Sequence, residues 1–516
     1  MAIKIIMLVV FFGIMVGIGF YCKKNSTDVA GFVLGGRNVG PWLTAFAYGT
    51  SYFSAVIFVG YAGQFGWKFG IASTWIGLGN AFIGSLLAWV ILGRRTRLMT
   101  QHLDAATMPD FFGKRYSSAA LKVLSSVIIF VFLIPYTASL YNGLSRLFAM
   151  AFDVDYAVCV IIMVVLTGIY VIAGGYMATA INDFIQGIIM LFGIVTVIAA
   201  VLNLNGGFMG SLEALANVSD PAVSTTPGVF ASFFGPQPLE LLGVVILTSL
   251  GTWGLPQMVQ KFYAIKSEKA ISKGTIISTF FAIIVAGGCY FLGGFGRIVD
   301  VKNITNASGA IVYDAIIPAM IANLPEILIA VVIILVLSAS MSTLSSLVLA
   351  SSSTLTIDLI KDNIVKDLSE KKQVAIMRAL VVVFIAISAI IAIVQYKSAN
   401  NFIAQLMGVS WGALAGAFLA PFMYGLYSKK TTKASVYVCI IFGAGIMILN
   451  MLMRSSFPVL LQSPINCGAF AMLAGLVIVP IVSLVTKKPD KTEVDKMFAC
   501  YDKEVTVTVK ETLGNK

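Results

Sequence analysis

Ile327-Leu-Ile-Ala-Val-Val-Ile-Ile-Leu-Val-Leu337 runs straight into Ser338-Ala-Ser-Met-Ser-Thr-Leu-Ser-Ser346, and that into Leu347-Val-Leu-Ala350. The stretch is long and apolar enough to cross a bilayer as one helix. Hydroxyls in the middle of such a helix need partners, because lipid supplies none. Hydroxyl oxygens are also what a hard cation prefers as ligands. On a helix Ala339, Ser342, Thr343 and Ser346 fall at i, i+3, i+4 and i+7 and share a face, with Ser345 beside it. The competing arrangement is that each hydroxyl bonds back to a carbonyl of its own helix. The run points to an ion site inside a membrane.

Composition agrees. The 516 residues are 59% hydrophobic and 11% charged, with mean hydropathy +0.94, whereas soluble domains carry about 25% charged residues. This is an all-α integral membrane protein. Thirteen apolar windows are expected to span, at 3–21, 41–65, 71–92, 122–147, 156–175, 178–203, 238–260, 273–296, 326–353, 377–396, 401–426, 434–453 and 465–486. The first is followed by Cys22-Lys-Lys24 with no small-residue cleavage pattern, so it is expected to be retained. Residues 1–486 form one transmembrane domain, and 487–516 a polar cytoplasmic tail.

The net charge of +12 does not imply nucleic acid, because Lys and Arg cluster in short loops on one side. Arg94, Arg95, Arg97, Lys114, Arg115, Lys261, Lys266, Lys371, Lys372, Lys429 and Lys430 fall there. Lys68, Arg297, Lys302, Lys397 and Arg454 fall on the other. By the positive-inside rule the N-terminus is outside and the C-terminus inside. Segments 205–237 and 297–325 are long outer loops that can fold back. Six scattered cysteines make no zinc or disulfide pattern, and His102 is the single histidine, in a basic loop. Asp183 is the one carboxylate expected well inside a span, and an acid there is a functional candidate.

Two spans have the composition of broken helices. The second contains Ala45-Phe-Ala-Tyr-Gly-Thr50-Ser-Tyr-Phe-Ser54, and the seventh Leu247-Thr-Ser-Leu-Gly-Thr-Trp-Gly-Leu-Pro-Gln257. Their starts are five spans apart. Corresponding breaks suggest two five-helix repeats, 41–203 and 238–426, which an odd number of helices makes inverted. Span 3–21 precedes them, and two extra helices at 434–486 follow.

These segments carry a resemblance. Phe32-Val-Leu-Gly-Gly-Arg37, Gly49-Thr-Ser-Tyr-Phe-Ser54, Thr107-Met-Pro-Asp-Phe-Phe112 with Arg115-Tyr116, Ala173-Gly-Gly-Tyr176, Asn182-Asp-Phe-Ile-Gln186, Pro256-Gln257 and Met341-Ser-Thr-Leu-Ser345 occur in one order. The chain resembles the sodium:solute symporter family, which includes sodium/proline, sodium/pantothenate and sodium/glucose carriers. The resemblance implies a LeuT-like fold, alternating access and Na+ as the coupling ion. It implies a main sodium site from the carbonyls of Thr50, Phe53 and Ala339 and the hydroxyls of Ser342 and Thr343. It also implies a second site from Asp183, Ser345 and Ser346, sharing Ser342. Ser338 and Ser340 fit neither and are assigned to helix packing.

The solute is less determined. Tyr52 stands where proline carriers have an aspartate. Ser73-Thr-Trp-Ile-Gly77 lacks the acid of sugar carriers, and the eighth span lacks their lysine, which argues against a sugar. Tyr52, Tyr136, Trp253, Gln257 and Ser410 are the candidate pocket residues, an aromatic and amide lining without a buried base. The expected function is Na+-coupled symport of a small organic solute, such as proline or a pantothenate-like carboxylate, across the inner or plasma membrane. The partners expected are the solute, sodium and lipid, with no nucleic acid and no obligatory protein. The alternatives are a sodium-binding sensor on the same fold and a lipid-modifying membrane enzyme. The enzyme would need clustered acids, histidines or a nucleophile with its base.

Overall fold

A computed structural model describes residues 2–23, 27–152, 154–306, 309–365, 368–396 and 403–505. Among them the structure is helical, with only isolated β-bridges such as Val39 with Ile265. Ten helices are long and apolar enough to cross a membrane. The number is eleven if Pro238–Gly254 and Pro256–Ala264, bent by 46°, count as one span.

Two of the ten each run through two of the thirteen expected windows. Val56–His102 and Tyr156–Asn203 hold 47 and 48 residues, which if unbroken would be roughly 70 Å each at 1.5 Å per residue. That is more than twice the hydrocarbon core. Each is interrupted by a glycine in nearly the same unusual conformation, Gly70 (φ 63, ψ −146) and Gly175 (φ 55, ψ −148). This corner of the backbone map is almost closed to residues with a Cβ. At Gly70 a Cβ would also lie 2.0 Å from the Phe230 carbonyl oxygen. Gly70→Ala is therefore expected to lose about 2–6 kcal/mol of stability, adding backbone strain to overpacking. Thermal unfolding of detergent-purified protein checks this, with Gly13→Ala, which meets open space, as the silent control.

The two long loops, 205–237 and 297–325, fold back. Gly207–Ala216 forms a helix and Val229–Ala231 a single turn. The Trp75 indole donates to the Phe233 carbonyl at 2.9 Å. Arg297 donates to the Trp67 carbonyl and to Asp220 at 2.9 Å, with its guanidinium 3.8 Å from the Phe230 ring centre. Lys68 pairs with Glu240, joining the end of the second span to the start of the seventh.

The opposite face is closed differently. Arg37 donates to the carbonyls of Ala105 (2.7 Å), Thr100 and Tyr263, and burial lowers its pKa from the ordinary guanidinium value. The tail is less free than expected. Lys491–Phe498 is helical, Tyr501 donates to the Leu426 carbonyl at 2.8 Å, and Arg94 donates to the Tyr501 carbonyl. Residues 506–516 lie outside the described residues. His102 is exposed at a helix end, as a solvated loop histidine would be.

Candidate ion and solute sites

The second span begins at Pro41, where a missing N–H costs nothing, and its first half ends at Tyr52. Phe53 leaves helical geometry (φ −87, ψ 122), and the chain resumes through a wide π-helical turn, Val56–Tyr61. The seventh span breaks with the same geometry at Leu255 (φ −81, ψ 123). A helix that stops leaves its last carbonyls without intrahelical partners. In the buried second span these must be satisfied from outside.

The hydroxyl helix, Glu326–Thr354, is buried along the whole of 332–354 and supplies them. Ser342 Oγ lies 3.0 Å from the Thr50 carbonyl oxygen and 3.0 Å from that of Ala339. Thr343 Oγ1 lies 3.1 Å from the carbonyl oxygens of Thr50, Phe53 and Ala339. Five oxygens therefore converge with only two protons among them. Each hydroxyl has one hydrogen and faces two or three acceptors. The surplus of lone pairs makes a negative potential in a dry place, which a small cation would neutralise. The atoms that meet are those implied by the resemblance. Bonding back to the helix's own carbonyl also occurs, since Ala339 is that carbonyl.

Ser340 is not a packing residue. Its hydroxyl accepts the Ala55 N–H at 3.1 Å and so caps the second half of the broken span. Ser338 is buried, and its hydroxyl makes no hydrogen bond among the described residues. Among the described residues no group of three His, Cys, Asp or Glu could hold a metal ion, so a cation here must rely on hydroxyls and carbonyls.

The neighbourhood of Asp183 departs from expectation. Lys261 was assigned to an inner loop and the lining was expected to lack a buried base. Instead Lys261 is 2% exposed, on the half-helix after the seventh-span break. Its ammonium donates to Ser346 Oγ at 3.0 Å and lies 3.7 Å from the fully buried Asp183 carboxylate. Ser346 also bonds Ser51 at 2.8 Å. Ser345 donates to the Ser342 carbonyl of its own helix at 2.9 Å. Asp183 is also not the sole buried acid in a span. The helix continues past Thr354, placing Asp358 where it accepts from Thr107 at 2.6 Å, with Lys122 3.4 Å away.

The proposed solute residues are not all gathered in one place. Tyr52 ends the first half-helix, and its side chain lies outside the described residues. Tyr136 sits beside Ser54, at the break, and Trp411, with ring centres 5.9 Å apart. Among the described residues the Ser54, Tyr136 and Trp411 polar atoms make no hydrogen bond of good geometry. Ser410 donates to the Phe132 carbonyl, one turn before Tyr136. Trp253 is anchored elsewhere, its indole donating to the Ile83 carbonyl at 3.0 Å. Gln257 is buried just after the Leu255 break, and both amide atoms lack hydrogen-bond partners among the described residues. Sequence reasoning missed Ser54 and Trp411. The signal was there: a hydroxyl at the break and an indole next to Ser410.

The chain is similar to known proteins over most of its length. The profile of the Sodium:solute symporter family matches residues 32–443. An osmoregulated proline transporter of Bacillus subtilis is 29% identical over 516 residues, covering 98% of this chain and 99% of the relative. A sodium/proline symporter of Staphylococcus aureus is 30% identical over 509 residues, covering 94% and 93%. Among solved structures, a Na+-coupled sialic acid symporter in a substrate-bound outward-open state superposes with TM-score 0.74 at 16% identity, covering 95% and 99%. The fold is thus the LeuT-like arrangement, in a multi-pass membrane protein. The chain belongs to the sodium:solute symporter family, and is a sodium-coupled transporter and not an enzyme.

Proposed function

We propose that sodium binds between the break at Phe53 and the hydroxyl helix, held by the Thr50, Phe53 and Ala339 carbonyls and the Ser342 and Thr343 hydroxyls. A small organic carboxylate then binds beside it. The observation that carries this reading is the convergence of five buried oxygens with two protons. Sodium would clamp the first half of the second span to the hydroxyl helix and so order the break where the solute sits. Coupling is then the difference in solute affinity with and without the ion.

Ser54, Tyr136 and Trp411 offer two hydroxyls and an indole N–H that lack partners of good geometry among the described residues. Donors of that kind suit a carboxylate. Aromatic walls suit a compact apolar body. The named proline transporters among the relatives favour a proline-like amino acid, with a pantothenate-like acid as the alternative. Counting each glycine-interrupted helix as two crossings, and each broken pair as one, gives thirteen spans with repeats at 41–203 and 238–426. The positive residues flanking the tail, among them Arg94, Arg95, Lys429 and Lys430, support a cytoplasmic C-terminus and an external N-terminus in the cell membrane.

Thermal unfolding across amino acids, pantothenate and sugars, in sodium and in potassium, tests the solute class. A ligand at a hundred times its Kd stabilises by about 2.7 kcal/mol. The expected result is stabilisation by proline or a related carboxylate in sodium only, and none by sugars. Equal stabilisation in potassium contradicts the coupling.

A further inference from the structure

We propose that the Lys261 ammonium is the resident cation of the pocket between Asp183 and Ser346, so that this carrier binds one sodium ion per cycle and not two. The proposal rests on the main-site reading above, and concerns what fills the other pocket.

The proton inventory supports it. Ser51 uses its one hydroxyl hydrogen on the Ala47 carbonyl. In the Ser51–Ser346 contact the donor is then Ser346. That leaves Ser346 with lone pairs facing the Lys261 ammonium, which donates to it at 3.0 Å. Ser345, the other implied ligand, spends its hydrogen on its own helix. Both Asp183 oxygens are buried and make no hydrogen bond among the described residues. The Asp183 charge is answered by the ammonium at 3.7 Å. A buried carboxylate needs such an opposite charge.

An ion held by Asp183 and Ser346 would sit next to that ammonium. Two positive charges that close, in a medium that screens poorly, repel too strongly to coexist. Ammonium and second sodium are therefore mutually exclusive occupants. The covalent tether also favours the ammonium, which loses no translational freedom on binding. Lys261 lies further over the Tyr176 ring at 5.2 Å, so it is held by three neighbours. Through Ser346 and Ser51 it is linked to the first half of the second span, one residue after Thr50. The fixed cation thus braces the half-helix that offers the main sodium site, as a second ion would.

Equilibrium binding of sodium-22 to the purified full chain tests this without knowledge of the solute. Wild type is expected to bind one sodium per chain, lost in Ser342→Ala with Thr343→Ala. Lys261→Met is expected to bind two, the second disappearing when Asp183→Asn is added, and its thermal stability should become sodium-dependent. Two sodium ions on wild type, falling to one with Asp183→Asn, would overturn the proposal. So would a folded Lys261→Met that still binds one. If Lys261→Met does not fold, the wild-type count decides alone. No binding to wild type defeats the main-site reading instead, a distinct result.

Discussion

Ser342→Ala together with Thr343→Ala abolishes sodium-stimulated uptake. Each hydroxyl is one of five oxygens around the proposed ion position, and a hydrogen bond or ligand contact to a charge is worth about 1.5–3 kcal/mol. Removing both weakens sodium binding by about 3–6 kcal/mol, roughly two to four decades in affinity. Uptake at physiological sodium should fall to the sodium-free background. Initial rates over a sodium titration measure it. Ser340→Ala is the comparison. It loses the bond to the Ala55 N–H, costing about 0.5–1.5 kcal/mol of stability, and keeps its sodium dependence. Full sodium stimulation in the double variant would put the site elsewhere.

Asp183→Ala should destabilise the protein by about 3–5 kcal/mol, because it leaves a buried ammonium facing a hydroxyl and a ring but no opposite charge. The loss is expected to shrink when Lys261→Met is added, since neutral packing of similar volume often replaces a buried pair at little cost. Thermal unfolding of the two single variants and the double completes the cycle. Additive losses would show that the two side chains do not interact.

The hydroxyl helix was legible because only a few physical arrangements tolerate so many hydroxyls in an apolar span. The breaks at Phe53 and Leu255 were legible from glycine, hydroxyl and proline content. The expected windows 41–65 and 71–92 meet near Gly70, and 156–175 and 178–203 near Gly175, where the backbone turns; the conformation that turns it was not legible, because a hydropathy window does not register it. Ser340 was misassigned because its partner is a backbone N–H, present at every residue and so invisible in residue types. Lys261 was misplaced for a different reason. It lies five residues after Pro256, close to the expected edge of the span, where lysine ordinarily faces water. The half-helix Pro256–Ala264 is instead buried throughout. Trp253 was legible as a polar-tipped aromatic but not as an anchor on Ile83.

The most direct measurement is a density map of the protein purified in sodium, compared with one in choline. A peak is expected in sodium alone, enclosed by the Thr50, Phe53 and Ala339 carbonyls and the Ser342 and Thr343 hydroxyls. A sodium-specific peak at any other place, with these five oxygens unchanged between the two maps, would contradict the account.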